Sequence, residues 1–173
     1  MHQAIFSGTL RGGDGTGVFG VSHTKEKEVA VYKKPIPGYD FIQLKEYEKM
    51  INNIDTYKFF IGHNRYATKG VVNYANTHPF QQENITLVHN GSMTWMSTFH
   101  PKWNDFSVDS DLLAYSIATE GYETALKKYE GGCAVVWYDS TTDELCMYRN
   151  KDRPLFFAKM KDSDSLLIAS EMS

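Results

Sequence analysis

Two stretches of this chain end in groups that could act on one polar substrate. Ile61-Gly62-His63-Asn64-Arg65 ends in a guanidinium, and Leu87-Val88-His89-Asn90-Gly91 ends in a side-chain amide beside a glycine. An Arg presents a planar fork suited to a carboxylate. An Asn amide next to a glycine N–H can aim two donors at one oxygen, which is what a developing oxyanion needs. A site holding both could bind an amino acid and polarise its carbonyl. Each group also has a plainer use. Arg65 can serve as a structural ion-pair residue, and Asn90-Gly91 alone reads as a type I′ hairpin turn.

Both groups need strands to carry them. Phe59, Phe60 and Ile61 lead into the first, and Ile85, Leu87 and Val88 lead into the second. Ahead of them, His2 to Leu10 has Ile5, Phe6 and Leu10 at helical spacing. Val18 to Ser22 and Val29 to Tyr32 read as a hairpin around Lys25-Glu26-Lys27. Pro35, Pro37 and Gly38 then break the chain, and Asp40 with Gln43 predicts a capping box. It opens an amphipathic helix with Phe41, Leu44, Tyr47, Met50, Ile51 and Ile54 on one face. Trp95 to Trp103 reads as an aromatic loop covering the site. Asp109 stands where an N-cap belongs, before a helix through Leu112, Leu113, Ser116 and Ile117 that Gly121 interrupts. Cys133 to Tyr138, Leu145 to Arg149, Leu155 to Ala158 and Leu166 to Ala169 follow as an antiparallel meander, so the fold class is α+β.

Composition narrows the partners. At 173 residues, 42% hydrophobic, the chain can build a real core. A net charge of −3 with no basic block argues against nucleic acid, and no apolar run reaches the roughly 18 residues of a membrane span. Cys133 and Cys146 sit far apart in hydrophobic patterns, as buried thiols of a reducing cytoplasm do. His63, His78, His89 and His100 lack metal-ligand spacing, so no metal or other cofactor is expected.

Taken together, the blocks from Gly62 to Gly70, Asn76-Thr77-His78-Pro79 and His89-Asn90-Gly91 resemble the glutamine-pocket motifs of class II glutamine amidotransferase domains, which are N-terminal-nucleophile hydrolases. Leu10 to Gly17, Val108 to Asp111 and Arg153-Pro154-Leu155 extend the resemblance in the family's order. The short form is most similar to stand-alone, phage-type members. The resemblance implies a four-layer αββα sandwich over residues 1–173 as one domain. It implies that Arg65, helped by Thr68, pairs with the α-carboxylate of L-glutamine. Asp109 and the region of Gly91 take the α-ammonium, the Asn90 amide and Gly91 N–H form an oxyanion hole, and Arg11 lies near the nucleophile. In the family that nucleophile is a cysteine on a strand ahead of the first helix, with its own α-amino group as base. Met1 to Phe6 matches the helix that follows, so the chain is expected to be trimmed at both ends.

Two functions follow from that departure. One is a glutaminase or amidotransferase that releases ammonia once the cysteine strand is present. The other is a catalytically inactive binding protein of the same fold, such as a phage protein that inhibits a host factor. Absence of an inner strand leaves a sheet edge for a partner chain or a second copy.

Overall fold

The computed structural model describes residues 1–24, 26–161 and 165–170. Its architecture follows from strands that alternate two apolar faces. In β1 (Gly15–Ser22), Val18 joins a cluster with Ile5, Phe41, Ile42 and Tyr47, while Phe19 and Val21 join one with Val88, Val136 and Tyr138. In β5 (Ile85–Met93) and β6 (Gly131–Asp139), Ile85, Leu87, Cys133, Val135 and Trp137 face a third cluster with Leu112, Leu113 and Ile117. Period-two alternation sends neighbouring residues to opposite faces, so each sheet is covered on both sides. The result is helices, sheet, sheet, helices: the αββα order.

One sheet runs β2-β1-β3, with β2 at Val29–Lys34 and β3 at Tyr57–Arg65. The helices α1 (His2–Gly8), α2 (Gly38–Phe41) and α3 (Lys45–Asn52) supply its outer cover. The second sheet runs β4-β5-β6-β7, with β4 at Phe80–Gln82 and β7 at Glu144–Arg149. It is covered by α4 (Met96–Phe99), α5 (Asp109–Glu120) and α6 (Tyr122–Lys128). All pairings within both sheets are antiparallel. Each large side chain sealed into these clusters contributes about 1.5–3 kcal/mol. Among the described residues no helix is long and apolar enough to cross a membrane.

Several local expectations change. Asn90 and Gly91 are not a turn: they lie inside β5, opposite Ala134 and Cys133. The turn instead joins β4 to β5 at Glu83, which takes a φ of 48°. The helix expected from Phe41 to Ile54 is split between α2 and α3, and Asp40 caps neither. The break falls at Leu44, whose backbone is extended at a ψ of 137°, and the chain restarts there as α3, with Tyr47 turned into the same cluster as Phe41 and Ile42. The meander is divided as well. β8 (Phe156–Lys159) and β9 (Leu166–Ala169) form their own two-stranded sheet. Asn150 ends the larger sheet: its side chain accepts from the Cys133 N–H and donates to the Gly131 carbonyl. The aromatic loop at Trp95 holds α4, whose Phe99 is buried while Trp95 stays exposed. Of the expected turn residues, Lys25 and 162–164 lie outside the described residues, as do 171–173.

Candidate functional site

The open edge of β5 is where the polar groups gather. β4 pairs with β5 only as far as Phe80 opposite Leu87, so the strand from Val88 to Met93 has no neighbour on that side among the described residues. Direction along this edge follows from the ladder. The Cys133 N–H donates to the Asn150 side chain at 3.1 Å, and its carbonyl accepts from the Asn150 N–H at 2.9 Å, so both point toward β7. Gly91, opposite Cys133, therefore turns its own N–H away from β6 and toward the open edge. Met93, two residues on, shares that direction. Its N–H donates to Asp109 Oδ2 at 2.7 Å, and its carbonyl accepts from the Lys69 ammonium.

Strand parity brings the other groups to the same mouth. Phe59 and Ile61 face the space between the sheets, so His63 and Arg65 at the same parity do too. Val88 faces it from the other sheet, which aims Asn90 inward. Among the described residues the Asn90 amide has no hydrogen-bond partner. Arg65 is 4% exposed and Asp109 is 4% exposed. Burying either charge without compensation is costly, and both are compensated. Arg65 Nη2 donates to the Lys69 carbonyl at 2.5 Å and Nη1 to the Val71 carbonyl at 3.4 Å. Burial lowers the guanidinium pKa, and the carboxylates of Asp14 and Asp109 oppose that shift. Asp109 is the first residue of α5 rather than its cap: Val108 holds the cap position, and the Asp109 carboxylate reaches across to β5.

Thr68 stands on the exposed loop after β3, in the same turn as Lys69. Arg11 turns elsewhere: its Nη1 donates to Ser170 Oγ at 3.2 Å, just past β9. Of the sequence-derived set, then, Arg65, Asn90, Gly91 and Asp109 converge, Thr68 borders them, and the Arg11 head group is directed at the β8–β9 sheet.

Three contributors carried no role in the sequence reading. Asp14 Oδ2 accepts from the Ala67 N–H at 2.8 Å, and the Asp14 N–H donates to the Arg65 carbonyl at 3.0 Å, so this carboxylate clamps the end of β3. Gly12 makes room for that clamp, since a Cβ there would lie 2.7 Å from the Arg65 carbonyl carbon. His89 is fixed below the pocket by Ser110 Oγ and Tyr129 Oη, each 3.0 Å from a ring nitrogen. Burial, with Arg153 adding to it, pulls the His89 pKa down to about 4 against the pull of Asp109. Lys69 is the third, with its ammonium 3.9 Å from Asp109 Oδ2. The one available signal for Asp14 and Lys69 was membership of the same blocks as Arg11 and Arg65; hydrogen-bond direction leaves no mark in a sequence.

A separate cavity of about 530 Å³ opens on the far side of β4, lined among others by Val31, Lys33, Tyr74, Phe80 and Asp111. Lys33 is not free in it, since its ammonium donates to the carbonyls of Thr77 and Pro79. Among the described residues no group of His, Cys, Asp and Glu is arranged to hold a metal ion.

Comparison with known proteins bears on the family and the fold. A family model described as class-II glutamine amidotransferases matches residues 6–108, and one described as a glutamine amidotransferase domain matches residues 63–173. The glutamine–fructose-6-phosphate aminotransferase (isomerizing) of Listeria monocytogenes is 30% identical over 131 residues, which is 64% of this chain and 22% of that protein. The enzyme of the same name from Helicobacter pylori is 27% identical over 128 residues, 65% of this chain and 21% of its own length. The chain thus spans about a fifth of the curated relatives it matches. Among solved structures, a glutamine aminotransferase class-II domain protein from Silicibacter pomeroyi superposes with a TM-score of 0.51 at 11% identity, over 87% of this chain and 81% of that one. That likeness concerns the fold, and it matches the αββα layering described above. The chain belongs to the class II glutamine amidotransferases.

Proposed function

We propose that this chain binds L-glutamine at the open edge of β5 and, with a cysteine thiolate delivered beside Asn90, hydrolyses its side-chain amide. One observation carries the reading: a buried guanidinium and a buried carboxylate meet at one mouth, beside an unpartnered amide. Arg65 pairs with the α-carboxylate, and Thr68 borders that contact. Asp109 takes the α-ammonium. The thiolate attacks the side-chain carbonyl carbon, and the Asn90 amide and Gly91 N–H receive the negative oxygen. The proton the thiol gave up to its own α-amino group passes to the amide nitrogen, the C–N bond breaks and ammonia leaves, and water cleaves the resulting glutamyl thioester to glutamate and the free thiol. Each oxyanion donor contributes about 3 kcal/mol in comparable acyl-transfer sites.

The family resemblance assigns the thiolate to a strand ahead of α1. β3 and β9 are edge strands among the described residues, and Ile168 of β9 packs on the same core as Phe59 and Ile61 of β3. An added strand has those two edges to pair with, and Arg11, bonded to Ser170, flanks the same region.

The test is calorimetric titration of the natural gene product with L-glutamine, with ammonia release measured on the same material. Saturable binding that Arg65→Ala and Asp109→Asn each abolish supports the pocket. Ammonia release that drops about 100-fold or more in Asn90→Ala supports the oxyanion assignment. Wild-type protein that shows no saturable binding, or variants that bind as well as wild type, overturns the reading. Binding without ammonia release selects the alternative, a protein that keeps the pocket without turnover.

A further inference from the structure

The two charges assigned to the ligand are already answered by one short segment of the chain's own loop. Arg65 donates to the carbonyls of Lys69 and Val71, so a guanidinium assigned to a carboxylate already faces two oxygens of this loop. Asp109 faces the Lys69 ammonium at 3.9 Å, and the same ammonium donates to the Met93 carbonyl. Residues 69–71 therefore present two carbonyl oxygens to Arg65 and an ammonium to Asp109, the two groups that would read an amino acid.

The loop is built to hold this pose. Its start is tied down by the Ala67 N–H to Asp14, and its far side by the Asn76 amide to the Val71 carbonyl at 3.0 Å. Between them Gly70 takes a φ of +69°, where a Cβ would lie 2.7 Å from Val108 and 2.9 Å from the Asn76 amide. Lys69 keeps 29% of its side chain in solvent while Asp109 keeps 6%, so the lysine can swing out and the carboxylate cannot.

We infer that Lys69 is an internal competitor for the ammonium position beside Asp109 and sets which ω-amides the pocket accepts. The inference rests on the glutamine-pocket reading above. Glutamine brings its own ammonium, and two ammonium groups cannot share one buried carboxylate without repulsion, so Lys69 has to leave. An ω-amide acid lacking the α-ammonium, such as glutaramate, leaves the Lys69–Asp109 pair in place. Wild-type protein therefore discriminates weakly between the two ligands. Removing the lysine charge sharpens the preference for glutamine, because the vacated carboxylate is then neutralised only by a ligand that carries an ammonium.

The experiment is calorimetric titration of full-length wild type, Lys69→Met and Lys69→Arg with L-glutamine and with glutaramate, after thermal melts of all three. Lys69→Met is expected to bind glutamine about tenfold tighter, equivalent to about 1.4 kcal/mol, and glutaramate more weakly. Lys69→Arg keeps the charge and is expected to keep the wild-type ratio. A ratio unchanged in Lys69→Met, in a wild type that binds glutamine through Arg65 and Asp109, overturns the inference and leaves the pocket reading standing. Wild type that does not bind glutamine removes the pocket reading, and this inference falls with it. A second measurement needs no variant: in wild type carrying ¹³C-labelled lysine, one ε-methylene signal should move on adding glutamine and stay put on adding glutaramate. A lysine spectrum blind to glutamine overturns the inference independently.

Discussion

Replacing His63 tests whether the space between the sheets is as dry as the packing indicates. His63 and His78 stack with ring centroids 3.9 Å apart, and His63 Nδ1 and both ring nitrogens of His78 are buried without a partner among the described residues. The charged and titratable groups around them are Arg65, Lys33 and His89; none is a carboxylate that would welcome a proton. Burial pulls the His63 pKa down to about 3, with His89 and Arg65 adding to it, and it pulls His89 down to about 4. His78 is lowered as well, for the same first reason. A histidine in the unfolded chain titrates near about 6.5. Between these values the unfolded state takes up protons that the folded state refuses, so stability is full above about pH 6.5 and is lost as pH falls. From pH 7 to pH 5 each depressed histidine removes about 2 kcal/mol, so His63 and His89 together remove about 4 kcal/mol. That is a large share of the roughly 5–15 kcal/mol by which a typical domain is stable. Urea unfolding followed by tryptophan fluorescence at pH 7, 6 and 5 reads it directly. His63→Phe should flatten the pH dependence by about 2 kcal/mol, whatever it does to stability at pH 7. The reasoning is refuted if wild type loses less than about 1 kcal/mol over this range, or if the variant keeps the full slope.

Other perturbations probe the site's frame. Gly91→Ala places a methyl group on the Gly132 carbonyl and the His89 ring, neither of which is a flexible chain end; it should destabilise by about 1–3 kcal/mol, and an unchanged melting temperature would contradict the packing of β5 on β6. Cys133 is fully buried, and burial, reinforced by Asp109, pushes its thiol pKa up to about 12. Under native conditions at pH 8 iodoacetamide should modify Cys133 far more slowly than the half-buried Cys146; equal rates by peptide mass spectrometry would show that the cover of α5 over β6 opens readily.

Parity made the strands readable. Phe59 and Ile61, and Leu87 and Val88, announced β3 and β5; Arg65 marks the end of the first, while Asn90 and Gly91 lie inside the second. The helix at Asp109 was equally plain from Leu112, Leu113 and Ile117. Local rules failed where a tertiary contact outweighed them. Asn90-Gly91 has the composition of a tight turn, yet nine paired positions between β5 and β6 hold it extended. Asp40 and Gln43 have the spacing of a capping box, yet Asp40 lies inside α2 and the extended backbone of Leu44 holds the cap position of α3. Asp109 has the identity of an N-cap, yet the Met93 N–H claims its carboxylate.

From the sequence alone came the types of group available, their order, and the layered α+β class, because alternation and chemical identity are properties of the chain itself. Which groups face one another was decided only in three dimensions. Arg65 and Asp109 are far apart in sequence and share a mouth because β3 and β5 lie in different sheets whose inner faces meet, and the start of α5 reaches the open edge of β5 at the Met93 N–H. Lys69 fills that mouth because Gly70 and Asp14 shape a loop whose path no periodicity records. His63 and His78 read as ordinary polar residues until the sheets close over them, and His89 until α5 and Tyr129 cover it, since desolvation depends on what surrounds a ring in space.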